Sequence, residues 1–207
     1  MRNLILVSTV KGNVRLIIDH IEGDHRTKKL LFIPTASEPE VGYKGWVDDE
    51  RHAFESEGFT VTHFSLTDKT EDEVKQAVES SDIVFVGGGN PFYLLSKVQQ
   101  TNFKEYIRKH VELGKLYIGA SSGALVAGPD LEPAKRDDAL SRAPKLQDYT
   151  GIGLVDFIVF PHWGSIISRD LYLHHRMELA YSTKYKIILL TDSQALVVKG
   201  DWYHILD

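Results

Sequence analysis

The segment Gly119-Ala120-Ser121-Ser122-Gly123 places residues suited to nucleophilic catalysis between a strand-like run and a stretch that can start a helix. The apolar run ends at Ile118, and the small residues Ala124–Ala127 follow. A G-x-S-x-G elbow requires this strand–turn–helix setting. Flanking glycines relieve crowding at a sharp turn, and the central hydroxyl projects from the strand end. Ser121 takes the central position. The next amide, of Ser122, points at the same space and can donate to an oxyanion. The competing reading is a turn of small residues that only packs tightly.

Val86-Gly87-Gly88-Gly89-Asn90-Pro91 forms a second loop of the same kind, after the buried run Asp82–Val86 and before the helical pattern Phe92–Val98. Consecutive glycines let the backbone approach a ligand with its amides free. No Gly-Lys-Ser/Thr follows, so it is not a phosphate-binding Walker loop, and it is not G-x-G-x-x-G. In a doubly wound sheet both loops fall at C-terminal strand ends, where ligands bind. One loop then supplies a nucleophile and the other an oxyanion-binding amide.

A serine nucleophile needs a base. Most of the nine histidines fall in helical patterns or turns, but His162, in Phe160-Pro161-His162-Trp163-Gly164, directly follows the strand-like Val155–Phe160. Asp192, in Leu190-Thr191-Asp192-Ser193, occupies a further strand end and can orient the imidazole. It also reads as a turn residue bonding to its own backbone. His174 and Glu178 are four residues apart, but no third ligand lies within sequence reach, so no metal or other cofactor is expected.

Taken together, Gly87-Gly88-Gly89-Asn90, Tyr117-Ile118-Gly119-Ala120-Ser121-Ser122-Gly123-Ala124 and Pro161-His162 resemble peptidase family S51 in order and spacing, over nearly the whole chain. That family includes dipeptidase E (alpha-aspartyl dipeptidase) and cyanophycinase. The resemblance implies a fold like class I glutamine amidotransferases, with Ser in place of their Cys. It implies Ser121 as nucleophile, His162 as base, and the Gly88 and Ser122 amides as oxyanion hole. Short peptides are the implied substrates, including dipeptides with N-terminal Asp, and Asn90 falls in the matched glycine loop at the substrate side. Arg176, fourteen residues after His162, resembles by spacing the arginine that reads the Asp side chain, with Arg169 as second candidate. Either arginine also reads as an exposed residue of an amphipathic helix. Two positions depart from the family pattern: Ser122 replaces the usual Ala, and Asp192 stands where the acid is usually Glu. Asp130, Asp137 and Asp138 are the alternative acids. With His162 before Asp192, the order differs from the Ser, acid, His order of α/β-hydrolases.

The elements that must hold these residues are legible as periodicities. Leu4–Val7, Leu30–Ile33, Phe59–Phe64, Ile83–Val86 and Leu116–Ile118 read as strands, several of them apolar at nearly every position, as expected of strands covered on both faces. Helical patterns lie between them: Asn13–Ile21, Thr70–Ser80 with a Thr70/Glu73 capping box, and Phe103–Leu113 stopped by Gly114. This βαβ alternation predicts an α/β fold, a mostly parallel doubly wound sheet with helices on both faces. Pro129–Gly151 is polar and lacks a periodic signal, which suits a functional loop or lid. Beyond it, Val155–Phe160 and Ile187–Leu190 read as strands, Ser168–Tyr181 as a helix, and Ala195–Val198 with Trp202–Leu206 as a closing hairpin. One domain, 1–207, is the economical reading. Tyr43, Trp46, Phe92, Tyr93 and Trp163 could wall a pocket, although ordinary packing accounts for most aromatics.

Composition narrows the function classes. The 207 residues include 24 Lys+Arg and 29 Asp+Glu, a net charge of −5, without basic runs, which argues against nucleic acid. No apolar run approaches 18 residues, so no membrane span is expected. The N-terminal run Leu4–Val7 is too short for a signal-peptide core. Cysteine is absent, which excludes thiol nucleophiles and disulfide scaffolds and fits a cytoplasmic protein. A homodimer is compatible with the sequence, but no residue pattern fixes the oligomeric state. The rivals to a peptidase are an esterase or amidase on the same site, and a catalytically silent small-molecule binding protein.

Overall fold

The short runs of Val, Ile, Leu and Phe become strands because branched and aromatic side chains suit a pleated surface covered on both faces. A computed structural model describes all 207 residues, Met1–Asp207. Its main sheet contains β1 (Asn3–Val7), β2 (Lys29–Ile33), β3 (Thr60–His63), β4 (Ile83–Val86), β5 (Leu116–Ala120), β8 (Ala195–Lys199) and β9 (Trp202–Leu206). The order is β3-β2-β4-β5-β1-β8-β9. The first five strands of that order run parallel, while β8 is antiparallel to β1 and β9 to β8, the closing hairpin read from the sequence. In register, Val7 lies opposite Ala120 and Val86 opposite Gly119, so β1, β4 and β5 end side by side.

The strands that bring in the later site residues form a sheet of their own. With β8 already beside β1, β6 (Phe157–Phe160) and β7 (Lys186–Leu189) pair in parallel with each other. The small sheet stays attached through packing: the Phe157 ring lies 5.0 Å from that of Tyr203 on β9.

Alternation along the strands divides the core. Leu4, Leu6, Leu31, Ile33, Val84 and Val86 pack on one face with α3 (Glu71–Glu79), α4 (Pro91–Gln100), α5 (Phe103–Glu112) and α6 (Ser122–Val126). Ile5, Val7, Leu30, Phe32, Ile83 and Phe85 pack on the other face, against Ile17 of α1 (Val14–Asp19) and Phe54 of α2 (Gly45–Ser56). Helices therefore cover both faces, as the sequence predicts. The capping box at Thr70 and Glu73 forms.

No periodic stripe in the sequence marks α2. Asp48, Asp49, Glu50, Arg51 and Glu55 crowd the helix, and Phe54 is its only fully buried apolar side chain. Arg51 supports it by pairing with Asp48 at 3.1 Å and Glu55 at 2.9 Å. Pro129–Gly151 is an ordered excursion closed by an antiparallel bridge between Asp130 and Thr150, with short helical turns at Glu132–Ala134 and Asp137–Leu140. The predicted helix Ser168–Tyr181 forms over 169–180 but widens into a π turn at Tyr172–Arg176.

Candidate active site

Ser121 joins β5 to α6 with φ 51° and ψ −107°, a conformation that L residues seldom adopt. Such a backbone persists only where its surroundings over-determine it. Here the Ser121 amide donates to the Val7 carbonyl at 2.9 Å, and the buried Tyr117 hydroxyl donates to the Gly123 carbonyl at 2.7 Å. Close approach fixes the two elbow glycines. A Cβ on Gly123 would lie 2.0 Å from the Val86 carbonyl oxygen, and one on Gly119 would lie 2.7 Å from Gly123.

The glycine loop meets the elbow directly. A Cβ on Gly88 would sit 3.1 Å from that of Ser121, and the Gly88 amide makes no backbone hydrogen bond. Ser122 opens α6, where the first amides lack intrahelical acceptors. Its hydroxyl donates to the Gly89 carbonyl and ties the two loops together. Both predicted oxyanion donors thus lie beside Ser121.

His162 Nε2 is 3.0 Å from Ser121 Oγ, and His162 Nδ1 is 2.6 Å from Asp192 Oδ1. The structure therefore gathers the serine, histidine and acid that the sequence singled out. The acid beside His162 Nδ1 is Asp192 and not a lid carboxylate. Asp138 pairs with Arg136, Asp130 accepts the Glu132 amide at 2.9 Å, and Asp137 is exposed. His162 has a left-handed φ of 64°. Two residues that sequence reading did not single out brace this pair. The Ser8 hydroxyl accepts the His162 amide at 2.9 Å, and Asn13 Nδ2 donates to the Asp192 carbonyl at 2.7 Å. Ser8 follows β1 directly, so its position at a strand end was the available signal.

Two cavities flank the Ser121–His162 pair. The first, about 160 Å³, is lined among others by Glu40, Arg136, Arg142 and Arg176. Arg136 is tied to Asp138, and Arg142 donates to the Pro39 carbonyl. Arg176 has no carboxylate partner: Nη1 donates to the Tyr172 hydroxyl at 2.7 Å, and the buried Nε has no acceptor. Its guanidinium lies over the Tyr172 and Phe160 rings, 4.9 Å and 5.4 Å from their centroids, and burial pulls its pKa below the usual arginine range. The π turn carries both Tyr172 and Arg176, and such local widenings are frequent at functional sites. The second cavity, about 390 Å³, is lined by residues of the β1–α1 loop and of α2, Glu50 among them. Burial pushes the Glu50 carboxyl up to about 8.

Of the other residues assigned from the sequence to substrate binding, Asn90 borders the first cavity and Arg169 does not. The Asn90 side chain caps α4, accepting the Phe92 and Tyr93 amides at 3.0 Å each, and donates to the Ala139 carbonyl at 2.9 Å. It borders the first cavity with its side chain already engaged. Arg169 is exposed and lines a separate cavity with Trp163, Ile166 and Tyr172, away from Ser121. Nowhere do three or more His, Asp or Glu side chains gather as a metal-holding group. No helix is long and apolar enough to cross a membrane.

The model of peptidase family S51 matches residues 4–206. An uncharacterized peptidase of Pasteurella multocida is 32% identical over 97% of this chain and 95% of its own length. A Drosophila melanogaster protein named "Probable alpha-aspartyl dipeptidase" is 28% identical over 78% of this chain and 66% of its own. A crystal structure of a Listeria monocytogenes protein assigned to peptidase E superposes with a TM-score of 0.90 at 28% identity, covering 100% of this chain and 98% of the other.

Proposed function

Since the chain belongs to peptidase family S51 and is a serine-type peptidase, we propose that it hydrolyses short peptides with an N-terminal aspartate through a Ser121–His162–Asp192 triad. The observation that carries this reading is the hydrogen-bonded chain from Ser121 through His162 to Asp192, beside a cavity walled by Arg176, with which no carboxylate of the protein pairs.

The chemistry follows from the geometry. Ser121 Oγ attacks the peptide carbonyl carbon as His162 Nε2 takes its proton. The Asp192 carboxylate holds the Nδ1–H tautomer and stabilises the imidazolium. The developing oxyanion accepts from the Gly88 and Ser122 amides, donors already in place before reaction. When the C–N bond breaks, His162 returns the proton to the leaving amine, and the acyl group remains as an ester on Ser121. Water then attacks that ester with His162 again as base, releasing the acid and regenerating the hydroxyl.

A dipeptide panel with product detection tests the proposal. Asp-X peptides should be cleaved fastest, and a serine-directed phosphonate should label Ser121 and stop turnover. Unimpaired turnover by Ser121→Ala would overturn the triad. Faster turnover of simple esters than of any dipeptide would favour the esterase reading.

A further inference from the structure

The second cavity shares Gly89, Ser121 and His162 with the first and contains none of its arginines. A peptide bond centred on Ser121 has an acyl side and a leaving side, and His162 must reach the leaving nitrogen to protonate it. With the acyl residue facing Arg176, the leaving residue needs a different cavity that still borders His162. The second cavity meets that requirement. Gly88 lines the second cavity and Ser122 the first, so the carbonyl between their amides spans the two.

We propose that this cavity is the leaving-group subsite and takes one amino acid with a free α-carboxylate, held by Lys11 while the side chain lies against Trp46. The inference rests on the Ser121 reading above. Lys11 is exposed on the β1–α1 loop and forms no salt bridge, so its ammonium is free for a ligand anion. Trp46, Asp49 and Glu50 stand at i, i+3 and i+4 on α2, a spacing that puts them on one helix face. Trp46 is half-buried and offers an apolar wall with room for a side chain. Glu50 lies deepest, 8% exposed. Because burial raises its pKa, Glu50 is largely uncharged at neutral pH and does not repel a carboxylate. Asp49 is exposed, where water and salt screen it. A chain continuing beyond the first leaving residue replaces that carboxylate with an amide and loses the attraction of Lys11. The cavity thus selects dipeptides over longer peptides.

The test compares Asp-Leu with Asp-leucinamide, using the wild-type protein and Lys11→Met. The wild type should favour Asp-Leu by roughly tenfold or more in kcat/KM, the scale of a charge-assisted hydrogen bond. In Lys11→Met the ratio should collapse toward one. Leucine should quench tryptophan fluorescence saturably where leucinamide does not, and Lys11→Met should abolish that difference. Equal wild-type turnover of the two substrates, or an equal loss on both in Lys11→Met, overturns the proposal. If the enzyme ignores N-terminal Asp, Ala-Leu against alanyl-leucinamide gives the same carboxylate ratio, so the two readings fail separately. If no Ser121-dependent hydrolysis is found, the leucine titration still decides: no binding, or equal binding of leucinamide, overturns the subsite.

Discussion

The Ser8 hydroxyl accepts the backbone N–H of His162 at 2.9 Å and donates its own proton to the Leu190 carbonyl at 2.9 Å. One buried side chain at the end of β1 therefore grips the loops after β6 and after β7. Those loops carry His162 and Asp192, and they belong to a sheet that shares no strand with the main one. Ser121 is tied to the end of the same strand through Val7, so β1 is the common reference for nucleophile and base.

Ser8→Ala should therefore act on positioning. It leaves the left-handed His162 amide without its acceptor, at a cost of about 1–3 kcal/mol in stability. We expect kcat to fall about tenfold with KM little changed, checked by steady-state kinetics on Asp-Leu alongside thermal melts. Wild-type kcat in a destabilised Ser8→Ala would show that the loop aims His162 unaided.

The adjacent serines should separate cleanly. Ser121→Ala removes the attacking hydroxyl and should abolish turnover without lowering Tm. Ser122→Ala keeps the amide but loses the hydrogen bond to Gly89, worth about 1 kcal/mol. Its kcat should stay within about tenfold of wild type. A reversed pattern would mean that the nucleophile has been misassigned.

Asp192→Asn should lower kcat by about 10⁴-fold, as expected when the group holding an imidazole tautomer becomes an amide. The Asn13 bond to the backbone at 192 survives the change, so the loop should stay in place. Asp138→Asn serves as comparison, because Asp138 is paired with Arg136. If Asp138→Asn proved the more damaging, the lid would hold the acid.

Much of this arrangement was legible because the sheet is covered on both faces. The central strands and β6 carry apolar runs that give way to Gly87, Gly119 and Pro161 beside the reacting groups, whereas the edge strands β3 and β9 are largely exposed. The elbow glycines were visible for the same steric reason that makes them necessary. What escaped was held by tertiary packing. Helix α2 buries too little apolar surface to show a periodic stripe, so Glu50 and the second cavity were hidden. Asn90 stands in the matched loop, but its side chain is consumed in capping α4 and bonding Ala139. Spacing from His162 drew in both Arg169 and Arg176. Only Arg176, at the end of the π turn, lines the cavity beside Ser121.

Stability should respond to pH through two buried groups with opposite signs. Glu50 titrates near 8 in the fold instead of 4.5, so the native state keeps a proton that the unfolded chain releases, and stability falls as pH rises through that window. Burial lowers His110 from 6.5 to about 4, so stability falls as pH drops through its own window. Between pH 6.5 and 8 Glu50 acts alone of the two. Over that range the stability of Glu50→Gln relative to wild type should rise by about 2 kcal/mol. Urea unfolding at pH 6.5 and 8 measures the difference. An unchanged gap would mean that Glu50 releases its proton well below neutrality.

Arg176 supplies the specificity prediction. Its guanidinium is held by one hydroxyl and two aromatic faces, and no protein carboxylate answers its charge. In the same cavity Arg136 has its carboxylate partner already and the exposed Arg142 donates to the Pro39 carbonyl, so Arg176 is the buried cation with a position to fill. A substrate Asp side chain there makes a charge-assisted, bidentate contact that Asn cannot make. Removing one member of a buried charge pair costs about 2–5 kcal/mol, so Asp-Leu should exceed Asn-Leu by roughly 30-fold to several thousand-fold in kcat/KM. Arg176→Met should erase that preference mainly by slowing Asp-Leu. Arg169→Met, altered in the separate cavity, should keep it. Arg176→Lys should fall between, because it restores the charge but not the planar fork. Equal wild-type turnover of Asp-Leu, Asn-Leu and Ala-Leu would defeat the aspartyl reading. The Ser121 mechanism would survive that result, because nucleophile and selectivity rest on different side chains.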